Sequence, residues 1–202
     1  MRKIFSSLLL ASSLLLAQTV TVPAVNTQTP ITMDINGEHI DFSGYAGKYV
    51  ILEYFGTHCP VCMMEIDHLK FMQKNNPKLS VIAVELQNTP ADTLKDFVFE
   101  KDINYPVIDF KNAYSLYMFA KNAAPQWQGS IPLMILFDKN GQALTYFMGV
   151  TSEEDIIKAI KDYTGVDINN ETVQPGATAQ PNETNTSTDG SISNKFLHFF
   201  KW

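Results

Sequence analysis

Ile51-Leu52-Glu53-Tyr54-Phe55-Gly56-Thr57-His58-Cys59-Pro60-Val61-Cys62 is the stretch on which the reading of this chain turns. Its first part belongs to a nearly unbroken apolar run, Tyr49 to Phe55, the pattern of a strand buried on both faces. Glu53 is the anomaly in that run. From Pro60 to Asn75 the apolar positions Cys62, Ile66, Leu69 and Met72 recur at helical spacing, and Pro77 lies just beyond. Two cysteines therefore fall where a buried strand gives way to a helix. On a first helical turn their sulfurs come within disulfide reach. The unpaired N–H groups and the macrodipole at a helix start favour a thiolate, which marks Cys59 as nucleophile. Cys62, one turn further in, is the more buried and resolves a mixed disulfide by attacking Cys59. Pro60 costs nothing here, because its missing N–H would be an orphan in the first turn.

Working outward, Ile31 to Phe42 alternates around the turn dipeptide Asn36-Gly37 and reads as a hairpin. Leu79 to Leu86 is a second buried strand. Thr89-Pro90-Ala91-Asp92 supplies a cap, a first-turn proline and an acid for a helix buried through Leu94, Phe97 and Val98. Tyr105 to Asp109 is short and extended, and Lys111 to Asn122 reads as a helix closed by Pro125. Ile131 to Phe137, the Lys139-Asn140-Gly141 turn and Gln142 to Met148 form a hairpin. A last helix, capped by Thr151 or Ser152 and carrying Ile156, Ile157 and Ile160, stops at Gly165. Crossover helices make the early strands parallel and the final hairpin makes the sheet mixed, so the class is α/β.

The chain has 202 residues, a length for one domain with appendages. Arg2 and Lys3, the apolar run Ile4 to Ala17 and small residues beyond describe a secretory signal peptide, with cleavage after Ala17 or Ala24. We divide the chain into a signal segment 1–24, a domain 25–167 and a polar tail 168–202. The tail is poor in apolar residues until Phe196 to Trp202, an aromatic cluster, and it carries acceptor sequons at Asn170, Asn182 and Asn185. Removal of Arg2 and Lys3 takes the net charge from -6 to -8, which excludes a basic nucleic-acid-binding face. With two cysteines in all, the chain is no disulfide-stapled scaffold. Export places the pair under disulfide-forming conditions, in a periplasmic location or tethered there by an uncleaved leader.

Several chemistries compete for Cys59 and Cys62. A zinc site wants two further ligands, and only His58, His68 and the distant His39 are at hand. Copper handling is conceivable through the same histidines with Met63 and Met64 as soft donors. A purely structural disulfide closing so short a loop would contribute little. Redox exchange is the favoured chemistry, with the Cys59–Cys62 disulfide as the redox group and no separate cofactor or metal.

The quoted stretch resembles the active-site segment of thioredoxin-fold proteins, and Gly129-Ser130-Ile131-Pro132 resembles their second hallmark. The N-terminal hairpin, the Gly47-Lys48 pair and the inserted helix with Tyr105-Pro106-Val107 resemble the TlpA/ResA-like branch, exported disulfide reductases. The resemblance covers about Ile31 to Tyr163 and implies a thioredoxin-like mixed sheet flanked by helices. It implies that Pro132 is cis and faces the cysteines, with Ile131 offering main-chain groups to an extended substrate. It puts Glu53 where thioredoxin has a buried Asp, so that a carboxyl of raised pKa shuttles the Cys62 proton. It matches Glu65 to the acid of a Cys-x-x-Cys-x-x-Glu pattern, on the rim of the substrate groove, a solvated helix face being the alternative. His58, Pro60 and Val61 are the remaining candidate substrate contacts. The implied partners are protein disulfides, such as an apocytochrome c haem-binding site, and a membrane thiol donor; a monomer is expected. His58 and Pro60-Val61 depart from the branch toward DsbA-type proteins, which keeps a disulfide oxidase or isomerase as the alternative.

Overall fold

The computed structural model describes residues 17–170. The leader up to residue 16, the tail from residue 171 with its aromatic end, and the sequons at Asn182 and Asn185 lie outside the described residues. Thirteen segments follow one another: β1 (Gln18–Val22), β2 (Ile31–Asn36), β3 (His39–Phe42), β4 (Tyr49–Phe55), α1 (Pro60–Asn75), β5 (Leu79–Glu85), α2 (Ala91–Glu100), β6 (Val107–Ile108), a 3-10 turn (Phe110–Asn112), α3 (Tyr114–Ala123), β7 (Leu133–Phe137), β8 (Ala143–Met148) and α4 (Glu153–Thr164).

The central sheet has the order β6-β5-β4-β7-β8. β4 pairs parallel with β5, and β5 with β6, whereas β7 runs antiparallel to both β4 and β8. This is the mixed sheet the crossovers and the last hairpin predict. β4 and β5 are buried at every position, which explains their unalternating apolar sequences. Alternation of side chains nevertheless divides β4 between two cores. Val50, Leu52 and Tyr54 pack with α3, Trp127 and the N-terminal strands. Tyr49, Ile51 and Phe55 pack with α1, α2 and α4. Glu53 shares the second face, the one that also receives Cys62.

Three boundaries differ from the sequence reading. The predicted N-terminal hairpin carries a third strand: β1 pairs antiparallel with β2 over Gln18–Val22, inside the segment assigned to the leader. Val22 and Ala24 are buried in the first core, and Val25 N–H donates to Val107 O at 2.8 Å. Among the described residues, folded structure therefore reaches back to Gln18, ahead of the boundary set at residue 25. It also ends later than 167, because Ile168 is buried and its carbonyl accepts from Lys78 Nζ at 2.9 Å. The short serine-interrupted run before Gln18 hid β1, since small and β-branched residues serve a leader junction and an edge strand equally well. The helix predicted over Lys111 to Asn122 is in fact the 3-10 turn followed by α3. Asp109 caps the turn, and Tyr54 Oη donates to Leu116 O at 2.7 Å.

Full burial of a valine side chain contributes roughly 1.5–3 kcal/mol. A domain beginning at Val25 is accordingly expected to be about 2–4 kcal/mol less stable than one beginning at Gln18, measured by urea unfolding. Equal midpoints with equal slopes would show that β1 adds nothing.

Candidate active site

The site is assembled from the C-terminal ends of β4 and β5 and the start of β7, which meet in register at Phe55↔Glu85 and Tyr54↔Leu133. β4 ends because Gly56 turns the chain into the loop Thr57-His58. The Gln87 side chain packs into the space beside Gly56, so a Cβ there would displace it. Helix α1 follows with Cys59 itself as N-cap and Pro60 in the first turn.

Cys59 and Cys62 are joined in a disulfide with 5.2 Å between their Cα atoms. Cys62 is fully buried and Cys59 half-buried, the asymmetry expected of a resolving and an attacking sulfur. The backbone N–H of Cys62 donates to Cys59 Sγ at 3.1 Å. That amide is one of the orphan donors of the helix start, so a negative charge on the sulfur has a donor in place. The Ile131–Pro132 peptide bond is cis, as the resemblance implies. The carbonyl of Ile131 lies 3.8 Å from Cys59 Sγ, so the main chain before Pro132 borders the reactive sulfur. Trp127 is buried against Tyr54 and Tyr117 and donates Nε1–H to Ser130 O at 2.5 Å, holding the loop that delivers Ile131. His58 and Pro60 are exposed, and Val61 is 45% exposed, so these three ring the sulfur on the solvent side.

Glu53 has no exposed surface. Tyr105 Oη donates to its Oε2 at 3.2 Å, and Oε1 has no partner. Desolvation, and then the neighbouring Glu65, push its pKa up from 4.5 to about 8, against a smaller lowering by the Tyr105 hydroxyl. Glu53 is therefore a protonated carboxylic acid at neutral pH that ionises just above it. Tyr105 is raised in turn by burial and by Glu53.

Glu65 is not where the sequence reading puts it. It is fully buried, so it neither lines the rim of a substrate groove nor faces solvent. Its Oε2 accepts the backbone N–H of Thr151 at 2.9 Å, and its Oε1 has no partner. Gly149 N–H donates to Pro132 O at 3.0 Å, so the loop after β8 ties α1 to the cis-proline. Burial raises the pKa of Glu65, with the Thr151 amide and His68 acting the other way. A stripe of helix positions does not reveal this, because the loop that covers Glu65 comes from the far end of the chain.

Thr89 also departs from its predicted role. α2 starts at Ala91 with Pro90 at the cap position and no side-chain cap. Thr89 instead bonds Glu85, which the sequence reading passed over at the end of its strand. An acid closing an otherwise apolar strand is the same signal that singled out Glu53. Among the described residues no group of three or more His, Cys, Asp or Glu converges as metal ligands would.

A disulfide at a strand-to-helix junction, bordered by a cis-proline loop and backed by buried carboxyls on this sheet, defines a thiol–disulfide oxidoreductase of the thioredoxin fold. Residues 20–157 match the AhpC/TSA family, and the chain belongs to it. It is 27% identical over 140 residues to the thiol-disulfide oxidoreductase ResA of Bacillus thuringiensis subsp. konkukian, covering 66% of this chain and 74% of that protein. Among solved structures it is similar to a DsbF homologue from Corynebacterium diphtheriae, with a TM-score of 0.54 and 21% identity over 72% of this chain and 85% of that one. StoA from Bacillus subtilis gives a TM-score of 0.53 and 14% identity, over 72% and 98% of the two chains. At these identities the two structures bear on the fold.

Proposed function

We infer that this protein is an exported reductase of protein disulfides. In its reduced form the Cys59 thiolate attacks a substrate disulfide, and one substrate sulfur leaves as a thiol. Cys62 then attacks Cys59, which releases the second substrate sulfur and restores the disulfide. Glu53, in the fraction of molecules in which it is ionised, takes the proton of Cys62 in the second step, a fraction that grows as pH rises toward its pKa of about 8. A membrane thiol donor returns two electrons and two protons to close the cycle. Substrates such as the cysteine pair of an apocytochrome fit an open sulfur bordered by main chain, where an extended segment can lie along Ile131.

The observation that carries the direction of flow is the burial of two carboxyls, Glu53 and Glu65, on the side of α1 and the sheet where Cys62 sits. An oxidant of this fold owes its strength to a stabilised thiolate in the reduced form. A buried acid that ionises opposes further negative charge near it, and so competes with a thiolate on the same side of the sheet and weakens that stabilisation, which favours a donor of electrons. The exposed His58 beside Cys59 favours the second reading, an oxidase or isomerase, through attraction to the thiolate. Export is supported by Arg2, Lys3 and the apolar run that follows, and by the edge strand that begins directly after Ala17.

The reduction potential of the Cys59–Cys62 couple separates the two readings. A value near or below about -250 mV is expected. A value near about -120 mV, with a strongly acidic Cys59, would make the protein an oxidant.

A further inference from the structure

Glu85 closes β5 and has no exposed surface, although it lies outside the disulfide and its two backing acids. Three donors converge on its two oxygens. Gln87 N–H reaches Oε1 at 2.8 Å, Thr89 Oγ1 reaches Oε1 at 2.9 Å, and Thr89 N–H reaches Oε2 at 3.1 Å. Two of these are backbone amides, which cannot reverse, so the carboxylate is an acceptor throughout. From it a line of contacts leads to the active-site loop. Thr89 Oγ1 is 2.8 Å from Thr57 Oγ1, and Thr57 Oγ1 is 3.0 Å from His58 Nδ1.

Hydrogens can be counted along that line, because each hydroxyl has only one. Thr89 spends its hydrogen on Glu85 and must accept from Thr57. Thr57 thereby spends its own on Thr89 and must accept from the ring. His58 therefore carries a hydrogen on Nδ1, which leaves Nε2 as the only lone pair of the neutral imidazole. The same loop is held a second time, since His58 N–H donates to Gln87 Oε1 at 2.8 Å and Gln87 fills the space that Gly56 leaves. Both holds originate at Glu85.

We propose that Glu85 is a positioning residue which, through Thr89 and Thr57, fixes His58 in the Nδ1–H form and leaves Nε2, in the exposed side chain directly preceding Cys59, as the proton acceptor for that thiol. The step balances within the protein: the Cys59 proton passes to His58 Nε2, the thiolate attacks the substrate disulfide, and the sulfur that leaves takes the proton back. This deepens the exchange reading and rests on it.

The test is ring 15N spectroscopy of His58 in the full chain, for the wild type, Thr57→Val and Glu85→Gln, together with the pH profile of disulfide reduction. Thr57→Val breaks the line in its middle and leaves the three donors to Glu85 in place, so it covers the case in which Glu85→Gln fails to fold. The wild type is expected to show the Nδ1–H tautomer, and Thr57→Val to revert to the ordinary Nε2–H form. Exchange by Thr57→Val is expected to be about two- to fivefold slower at pH 7, the size of effect one partly exposed charge exerts, and unchanged at pH 9, where thiolates form unaided. An Nε2–H tautomer in the wild type, or a pH profile that Thr57→Val leaves unmoved, would overturn the proposal. The tautomer is read whether or not the protein turns over a disulfide, so failure of the exchange reading shows in turnover and failure of this one in the spectrum.

Discussion

Cys59→Ser is expected to bring reduction of a protein disulfide down to the uncatalysed background, while Cys62→Ser retains the first step and accumulates a covalent adduct with substrate. The asymmetry follows from position. Cys59 Sγ is half-buried at the helix start with the Cys62 amide 3.1 Å away, so it is the sulfur that a substrate can reach and that can hold negative charge. Cys62 has no exposed surface and can attack only what is already bonded to Cys59. Non-reducing gels of the two variants incubated with a substrate protein check this directly. An adduct on Cys59→Ser and none on Cys62→Ser would reverse the roles. Neither serine is expected to unfold the domain, because the disulfide closes a loop of only a few residues and so constrains the unfolded chain little.

Glu53→Gln has the next largest expected effect, and it acts on stability and rate together. In an unfolded chain the carboxyl titrates near 4.5, whereas in the folded protein burial holds its pKa at about 8. Below pH 4.5 both states carry the proton and the folded state suffers no penalty from this group. Between 4.5 and 8 the folded state keeps a proton that the unfolded state has lost, so stability falls as pH rises; above 8 the full cost is reached. At 1.36 kcal/mol per pKa unit the cost is on the order of 5 kcal/mol. Glu53→Gln is expected to remove this slope and to be the more stable protein at pH 8 and above, as measured by urea unfolding at several pH values. A wild-type stability that stays flat from pH 5 to 8 would refute the assignment. The same variant is expected to resolve mixed disulfides about a hundredfold more slowly, the lower end of what a positioned base supplies.

The order of strands and helices was legible because β4, β5 and β7 are buried on both faces and are therefore apolar nearly throughout, Glu53, Ser80 and Glu85 aside. The position of the cysteines was legible for the same reason, since a strand end followed by a helical stripe fixes a junction. Pro132 needed more than local pattern; its meaning came from the company of the hairpin and the cysteine pair. Glu53 stood out as a charge in an apolar run, but its partner Tyr105 comes from the far side of α2. Glu65 and Glu85 were missed or misplaced because what satisfies them, the Thr151 amide in one case and the Thr89 turn in the other, is decided by loop geometry rather than by periodicity. β1 escaped because its burial depends on pairing with β2, a contact between segments that no local window contains.

The register of the N-terminal strands has a consequence for how the molecule is oriented. Gln18 pairs with Ile35, Asn36 with His39, and His39 bridges to Gln142, in the turn between β7 and β8. That turn adjoins the Tyr49 end of β4, and Cys59 follows the Phe55 end, about 20 Å away along the strand. Whatever holds the chain at residue 17 thus pulls on the pole opposite the disulfide. A molecule tethered there would turn its reactive sulfur outward, toward incoming partners, and one released by cleavage there would lose its tether without disturbing a single atom of the site.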